Sequence, residues 1–462
     1  MGQKQPADQI SEPKKRRRVG FATIDAGIEP KDCFTIYLVS SKEEVDAPDS
    51  FRIDPLDLSQ FFDDDGKIYG YQGLKILVWV SSISFHSYAE VKYESMSDGG
   101  KGITDLKLAL QRIFAETLVE DKNNFLQTFS AERNSIRTIV ADGEILGNTD
   151  LSSADKFNTC SQGDSPLEAI RLVAGSLPAG QLYSRLIPLV LLLVDGSSPI
   201  DVTDPRWELY VLVQKKPTDE GDTQYLLLGF SAVYRFFHYP DTSRLRLSQI
   251  LVLPIYQHKG YGRYLLELLR NVAITEHVYD FTVEEPLDYF QHVRTCVDIK
   301  HLLAFSSIQP AVDSAVSEIQ QVKLSKRSTM ISFMPPSSTI EEVRKSLKIN
   351  KKQFLKCWEV LLYLSINPAD KYMETFVTFI SDRVKAEILG RDSGIGGKQV
   401  KEVPSAYNED MSFVMFKTQA GEVTPTVQID ENVANQEEQI QKLVDERVEA
   451  IKLIAEIHKQ KA

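Results

Sequence analysis

The chain has 462 residues, of which 42% are hydrophobic and 26% are charged. At ~100–200 residues per domain, this length predicts about two to four domains. The formal net charge of -12 argues against direct DNA binding and suits a protein that meets a basic partner. Because the four cysteines (Cys33, Cys160, Cys296 and Cys357) are widely spaced, a zinc finger and a disulfide framework are excluded, and we expect reduced thiols and no metal.

The positive charge is concentrated at the start of the chain. Residues 1–20 carry a net charge of +4, which leaves -16 for the rest, and we expect this tail to be disordered. Within it, Pro13–Val19 (PKKRRRV) resembles a nuclear import signal, with a solvated or nucleic-acid-contacting tail as the alternative. The most apolar stretch, Leu186–Val194, has about half of the ~20 residues that a membrane-spanning helix needs, so we expect a buried core element and no membrane insertion.

The first part of the chain, residues 21–160, reads as an α/β domain. Apolar residues alternate over Cys33–Val39 and Leu74–Val80, which predicts two strands. Apolar residues from Leu106 to Leu118 have helical spacing, which predicts helical structure within Gly102–Phe129. The polar stretch Asp150–Ser165 is typical of a linker or long loop.

The middle of the chain, residues 165–315, alternates strand and helix signals. Leu182–Val194 fits either a buried helix or a buried strand. The predicted strands are Trp207–Val213, Tyr225–Phe237, Leu245–Leu253 and Tyr279–Val283, with a turn at Pro217–Thr223. A helix is predicted from Gly262 to Ile274.

The remainder, residues 320–462, reads as a helical domain that begins near the break Pro335–Ser338. Thr339 is predicted to cap a helix over Glu341–Leu347, and a second helix covers Lys352–Ser365. We favour a packed accessory domain over a helix-turn-helix. Gly390–Gly397 is predicted to be a loop. An apolar stripe from Ile440 to Ile454 predicts a long amphipathic helix, either docked on the surface or in a coiled coil.

The strongest motif follows the strand that ends at Leu253. Gln257-His258-Lys259-Gly260-Tyr261-Gly262 opens an amphipathic helix. Glycines let backbone N–H groups turn toward one anion, and the N-terminus of the helix adds its positive end, so this pattern favours a phosphate site. A dinucleotide loop would require three glycines as G-x-G-x-x-G after an early strand.

This Gln-x-x-Gly-x-Gly motif resembles the acetyl-CoA loop of the GNAT acetyltransferases. Five further segments are similar to the catalytic subunits of type B histone acetyltransferases, in a plant-like form. They are Gly70–Ile76, Ile200–Trp207, Val233–Asp241, Arg244–Gln249 and Thr282–Pro286. The resemblance implies an α+β fold with a GNAT-type mixed sheet and flanking helices, an N-terminal α/β domain and a C-terminal helical domain.

The resemblance also implies roles for individual residues. The catalytic residues are the general base Glu284, its neighbour Glu285, and Asp195, which stands where relatives have Glu. The acetyl-CoA contacts are Ile250, Leu251, Val252, Gln257, His258, Lys259, Gly260, Tyr261 and Gly262. The substrate contacts are Asp63, Asp64, Asp65, Trp207, Tyr234, Arg235 and Phe236. If the segment at Glu284 and Glu285 is extended, the two carboxylates point to opposite sides.

The implied reaction is acetyl transfer from acetyl-CoA to lysines of the tail of newly made histone H4, without a metal. The implied partners are the H4 tail, a WD40-repeat histone chaperone and a nuclear import receptor, and the implied location is the nucleus and cytoplasm. Two alternatives stay open: a GNAT enzyme that acts on another protein or a small amine, and a non-enzymatic nuclear adaptor that uses the helical C-terminal domain.

Overall fold

The computed structural model describes residues 25–62, 65–146, 167–217, 221–321, 333–366, 370–388 and 433–459. The chain divides into two compact units. The first comprises Met1–Thr203, Val213–Leu227 and Leu253–Ile255, and the second comprises Asp204–Leu212, Leu228–Val252 and Tyr256–Ala462. The predicted tail (1–20), the linker Asp150–Ser165 and the loop Gly390–Gly397 lie outside the described residues, as does residue 160.

The described strands and helices are numbered in chain order. The strands are β1 (Phe34–Val39), β2 (Phe51–Ile53), β3 (Tyr71–Gln72), β4 (Lys75–Ser81), β5 (Ser87–Lys92), β6 (Ser95–Met96), β7 (Leu118–Val119), β8 (Glu144–Leu146), β9 (Leu167–Val173), β10 (Trp207–Pro217), β11 (Thr223–His238), β12 (Thr242–Val252) and β13 (Phe281–Val283). The α-helices are α1 (Pro30–Cys33), α2 (Leu106–Phe114), α3 (Lys122–Ala131), α4 (Ser135–Val140), α5 (Leu177–Leu193), α6 (Tyr261–Thr275), α7 (Asp288–Leu303), α8 (Ile308–Gln321), α9 (Ser337–Leu347), α10 (Lys351–Ser365), α11 (Asp370–Ile388) and α12 (Val433–Lys459).

The sheet in the first unit has the strand order β2-β1-β4-β5-β7. β1 and β4 are parallel, whereas β1–β2 and β4–β5 are antiparallel. The predicted strands Cys33–Val39 and Leu74–Val80 are confirmed as β1 and β4. Their alternating apolar residues are buried, for example Ile36 and Val78, which explains why the period of two was visible in the sequence.

A second sheet has the order β13-β12-β11-β10-β9-β8. It is mixed, because β11–β12 is antiparallel and β12–β13 is parallel. The strands predicted around Trp207–Val213, Tyr225–Phe237, Leu245–Leu253 and Tyr279–Val283 are confirmed as β10 to β13, and the helix predicted at Gly262–Ile274 is confirmed as α6. The predicted α+β class, with a mixed sheet and flanking helices, is therefore confirmed.

The helical spacing within Gly102–Phe129 corresponds to two helices, not to one continuous helix. The chain forms α2, a 3-10 turn at Ala115–Thr117, strand β7 and then α3. Each helix has its own N-cap, since the carboxylates of Asp105 and Asp121 accept hydrogen bonds from backbone amides three residues later. Ala115 has φ +43°, outside the helical region, so the helix cannot continue through it.

The stretch Leu182–Val194 is a helix and not a strand: Leu182–Leu193 lies within α5, and Val194 is the C-cap of that helix. The Ser176 side chain caps α5 by accepting a hydrogen bond from the Ala179 amide. Leu186, Leu189 and Val190 are completely buried, as expected for a core element. No helix within the described ranges is long and apolar enough to cross a membrane.

In the second unit, helices α8 to α12 share one hydrophobic core, to which Ile299 and Leu302 of α7 also belong. Thr339 lies inside α9, whose N-cap position is Pro336, so the predicted cap is wrong; Asn350 does cap α10 by accepting from the Gln353 amide. Side chains of the last helix, α12, are buried in this core, including Val444 and Ile454. The preferred packed arrangement of the C-terminal helices is confirmed, and the amphipathic helix is docked.

Candidate functional site

Glu284 lies where strand β13 separates from strand β12. The parallel ladder between these strands ends at the pair Leu247–Val283, and the Glu284 amide then donates to the Leu247 carbonyl at 2.9 Å. Glu285 follows in a bend with φ +30°. Strand β13 ends at Val283. The extended conformation considered for Glu284 and Glu285 is therefore wrong. Both carboxylates belong to exposed residues and can be reached from solvent.

Two side chains of β12 hold the Glu284 carboxylate. Ser248 Oγ donates to Oε2 at 2.6 Å, and Arg246 Nη1 lies 3.7 Å from Oε1. Ser248 is the additional residue at a β-bulge, because the register between β11 and β12 shifts across Ala232 and Val233. A bulge bends the strand and re-aims a side chain, which accounts for the direction of Ser248.

The remainder of β12 supplies the predicted cofactor residues Ile250, Leu251 and Val252. Its ladder with β13 ends before them, at Leu247, while on the other side they pair with Ser231, Phe230 and Gly229 of β11. Gly229 allows this close pairing, since a Cβ atom built there would lie 2.7 Å from the Leu251 carbonyl oxygen. Only a glycine avoids that collision.

The glycine motif forms the turn between β12 and α6. Gln257 Nε2 donates to the Val252 carbonyl at 3.0 Å and thereby fixes the start of the turn. His258 has φ +60° and Gly260 has φ +87°, and Gly260 is the N-cap of α6. Gln257, His258 and Lys259 are exposed. Tyr261 and Gly262 begin the helix, so the motif presents a helix N-terminus and two positive-φ residues, an arrangement that suits an anion.

Trp207, Tyr234 and Phe236 form a half-buried aromatic row on neighbouring strands. The ring centroids of Trp207 and Tyr234 are 4.9 Å apart, and those of Tyr234 and Phe236 are 4.5 Å apart. The guanidinium groups of Arg206 and Arg246 lie 5.1 Å and 4.5 Å from the rings of Tyr234 and Phe236. The row therefore presents aromatic faces that already contact cations.

The carboxylate of Asp204 lies beside the aromatic row and is hydrogen-bonded within the chain. Asp204 accepts from Arg206 Nε and Nη2 at 3.0 Å and 2.8 Å and from the Tyr234 hydroxyl at 3.1 Å. The hydrogen bonds from Arg206 hold the pKa of Asp204 at about 2, against an opposing effect of burial. This carboxylate therefore anchors Tyr234.

Arg235 lies in a different environment from its neighbours in sequence, because successive side chains of a strand point to opposite faces. Its guanidinium donates to Glu208 Oε1 at 2.8 Å, Glu276 Oε2 at 2.6 Å and Ser243 Oγ at 3.1 Å. Its backbone amide donates to the Arg206 carbonyl. The structure thus brings Trp207, Tyr234 and Phe236 together and engages the Arg235 side chain in ion pairs within the chain.

The remaining predicted residues belong to the first unit. Asp195 is exposed in the turn that follows α5. Asp65 accepts hydrogen bonds from the Tyr69 hydroxyl and from Lys101 Nζ, and these two donors lower the pKa of Asp65. Asp63 and Asp64 lie outside the described residues. The charge of Asp65 is therefore already paired within the chain.

Sequence reasoning missed four residues of this site: Arg246, Ser248, Asp204 and Arg206. Their segments carried the family resemblance, but no role was assigned to them. The alternation of β12 could have placed Arg246 and Ser248 on one face. Nothing in the residue pattern indicates the bulge, and the bulge determines the contact between Ser248 and Glu284.

The described part of the chain contains no cluster of three or more His, Cys, Asp or Glu that could hold a metal. Cys33 and Cys357 are buried and Cys296 is half-buried, and these three described cysteines form no disulfide. Burial raises the pKa of the Cys33 thiol to about 12 and that of Cys357 well above its ordinary value. Since the thiolate is the reactive form, neither buried cysteine suits a nucleophile.

Comparison with known proteins gives the family. The family model for "Histone acetyl transferase HAT1 N-terminus" matches residues 26–195. The "Histone acetyltransferase type B catalytic subunit" of Arabidopsis thaliana is 57% identical over 449 residues, which cover 96% of this chain and 95% of the relative. The protein of the same name from Zea mays is 47% identical, covering 96% and 93%. The one from Mus musculus is 26% identical, covering 67% and 69%. At such identity and coverage, the chain belongs to the family of histone acetyltransferase type B catalytic subunits.

Proposed function

We propose that the protein transfers the acetyl group of acetyl-CoA to lysine side chains in the tail of newly synthesised histone H4, with Glu284 as general base and no metal. The observation that carries this proposal is the position of Glu284 beside β12, at the point where β13 ends. The same strand continues into Ile250–Val252 and the glycine turn, the proposed acetyl-CoA site. Family membership supports the class of reaction.

A base is needed because the acceptor is protonated. A lysine amine has a pKa of ~10.4, so roughly one in 2,500 is neutral at pH 7. Deprotonating the amine at this pH therefore costs a free-energy deficit of about 4.6 kcal/mol. A carboxylate that takes the proton as the nitrogen attacks relieves this deficit. Glu284 is exposed and held in place by Ser248, which suits that task. Glu285 would support it as the adjacent carboxylate, and Asp195 would be the second base.

Acetyl-CoA supplies the acetyl thioester. We place its pantetheine arm along the backbone of Ile250, Leu251 and Val252 and its pyrophosphate at Gln257–Gly262. Gly260 in the left-handed conformation at the start of α6 supports this placement, because helix N-termini favour anions. His258 and Lys259 add donors at an exposed position.

The aromatic row would receive the acceptor lysine. The aliphatic part of a lysine side chain packs on aromatic faces, and its ammonium is attracted to them. Tyr234, Arg235 and Phe236 would pair with the tail backbone, and Asp63, Asp64 and Asp65 would receive its basic residues. The net charge of -12 supports a basic substrate.

The wider assignments follow the same family. We propose a WD40-repeat histone chaperone as partner, an import receptor for residues 13–19, and residence in nucleus and cytoplasm. The catalytic domain would occupy residues 165–315, between an N-terminal domain at 21–160 and the helical domain at 320–462.

The test is acetylation of a panel of histone peptides by the full chain, its Glu284→Gln variant and a matched control, Glu342→Gln, which removes an exposed carboxylate on α9. We expect the H4 tail to be modified, with a loss of about 100-fold or more for Glu284→Gln and none for Glu342→Gln. An unmodified H4 peptide, or equal rates for wild type and Glu284→Gln, would refute the proposal. A polyamine acetylated faster than any peptide would indicate a small-amine enzyme, and absence of acetyl-CoA binding by calorimetry would indicate an adaptor.

A further inference from the structure

Ser248 occupies the bulge of β12, between the pairs Ala232–Gln249 and Val233–Leu247. In a regular ladder this residue would have a partner on β11, but the shifted register leaves it between two pairs. Its hydroxyl instead donates to Glu284 Oε2 at 2.6 Å, a distance typical of a hydrogen bond to a carboxylate.

The other contacts of Glu284 restrict it from different directions. The backbone amide of Glu284 donates to the Leu247 carbonyl at 2.9 Å, which fixes the base of the side chain. Arg246 Nη1 lies 3.7 Å from Oε1, beyond a hydrogen bond, and its guanidinium lies 4.5 Å from the Phe236 ring centroid. Oε2 is thus engaged by Ser248, while Oε1 lies on the side of Arg246, whose guanidinium contacts Phe236.

We propose that Ser248 is a positioning residue for the acetyl transfer, which holds Glu284 so that Oε1 takes the proton of the attacking amine. The inference rests on the proposed role of Glu284 as the base. As the new N–C bond forms, the thioester C–S bond breaks, the amine proton passes to Oε1, and CoA leaves as a thiolate. The Glu284 side chain is 46% exposed and has room for other rotamers, so the Ser248 hydroxyl selects the productive one.

Ser248→Ala should lower the rate without changing substrate binding. We expect kcat to fall about threefold to tenfold, because the base is no longer held in one orientation. The KM for the histone peptide and the Kd of acetyl-CoA should not change, because the Ser248 hydroxyl acts through Glu284. Ser248→Thr keeps the hydroxyl and should restore kcat.

The matched control is Ser231→Ala on β11. Ser231 Oγ is buried and has no hydrogen-bond partner among the residues that the structure describes, so its loss should leave kcat unchanged. A wild-type kcat in folded Ser248→Ala would overturn the inference, as would an equal loss of kcat in Ser231→Ala or a failure of Ser248→Thr to restore it. Glu284→Gln, assayed in parallel, separates the two proposals. If it is fully active, the base assignment fails; if it is inactive while Ser248→Ala is unchanged, only the role of Ser248 fails.

Discussion

Glu359 binds the last helix of the second unit, α12, through a buried network of ion pairs. It lies on α10 and accepts from Arg383 Nε at 2.5 Å and from Arg447 Nη2 and Nε at 2.7 and 2.8 Å. The side chains of Glu359 and Arg383 are each 2% exposed. Burial lowers the pKa of Arg447, but Glu359 and Glu387 outweigh it and hold that pKa above its usual value. The guanidinium of α12 is therefore bound to a carboxylate of α10.

Glu359→Gln keeps the size of the side chain and removes its charge. Arg383 and Arg447 would then share one carboxylate of this network, Glu387, whose side chain is 40% exposed. Removing one partner of a buried ion pair costs about 3–5 kcal/mol. Because Glu387 still contacts both arginines, we expect the free energy of unfolding to fall by about 3 kcal/mol, the lower end of that range. At about 2–4 °C per kcal/mol, this corresponds to a Tm lower by about 6–12 °C.

The assay is urea unfolding of the full chain followed by circular dichroism, together with Tm by calorimetry. Glu446→Gln on α12 is the matched control, since Glu446 lies 3.9 Å from Lys442 and its side chain is 60% exposed. An exposed pair of this kind contributes less than about 1 kcal/mol. A loss below about 1 kcal/mol for Glu359→Gln, or equal losses in both variants, would refute the reasoning.

Two further predictions concern the site. Gly229→Ala would bring a Cβ atom within 2.7 Å of the Leu251 carbonyl oxygen. We expect the free energy of unfolding to fall by about 1–3 kcal/mol and acetyl-CoA to bind more weakly in calorimetry. An unchanged Kd would contradict the placement of acetyl-CoA on β12. Arg206→Gln should raise the pKa of Asp204 from about 2 toward 3.8, measured by carboxyl NMR titration. Because the pKa of Asp204 is depressed in the folded state, the contact with Arg206 stabilises the protein above about pH 4. This stabilisation is lost as the pH falls through about 2. An unchanged titration of Asp204 in Arg206→Gln would exclude Arg206 as the cause of the low pKa.

The strand, turn and helix around the glycine motif could be predicted from the sequence because each part has a local cause. Alternating apolar residues give β12, the glycine at position 260 permits the left-handed N-cap, and helical spacing gives α6. These features depend on residues that are close in the chain, so no tertiary information was needed. The predicted boundaries of β12 and α6 lie within a few residues of the observed ones.

Other features depend on contacts that the sequence does not display. The spacing of apolar residues runs through Ala115 without interruption, yet the chain leaves the helix there and starts again at the Asp121 cap. The bulge at Ser248 is a mismatch between two strands, so it exists only once both are paired. The opposite faces of Tyr234 and Arg235 follow from alternation, but the ion pairs of Arg235 require Glu208 and Glu276 from other elements.

The structure also changes what the net charge of -12 implies. Acidic residues that a basic substrate would be expected to meet are partly neutralised within the chain: Asp65 is paired with Lys101, and Asp204 with Arg206. A surface charge that already has a partner contributes little local affinity, and its field is screened within about 8–10 Å at physiological salt. The overall charge can therefore favour the approach of the proposed basic substrate, but these paired carboxylates add little affinity for it. In the proposed site, selection of the acceptor lysine would depend on short-range contacts with the aromatic row and Glu284.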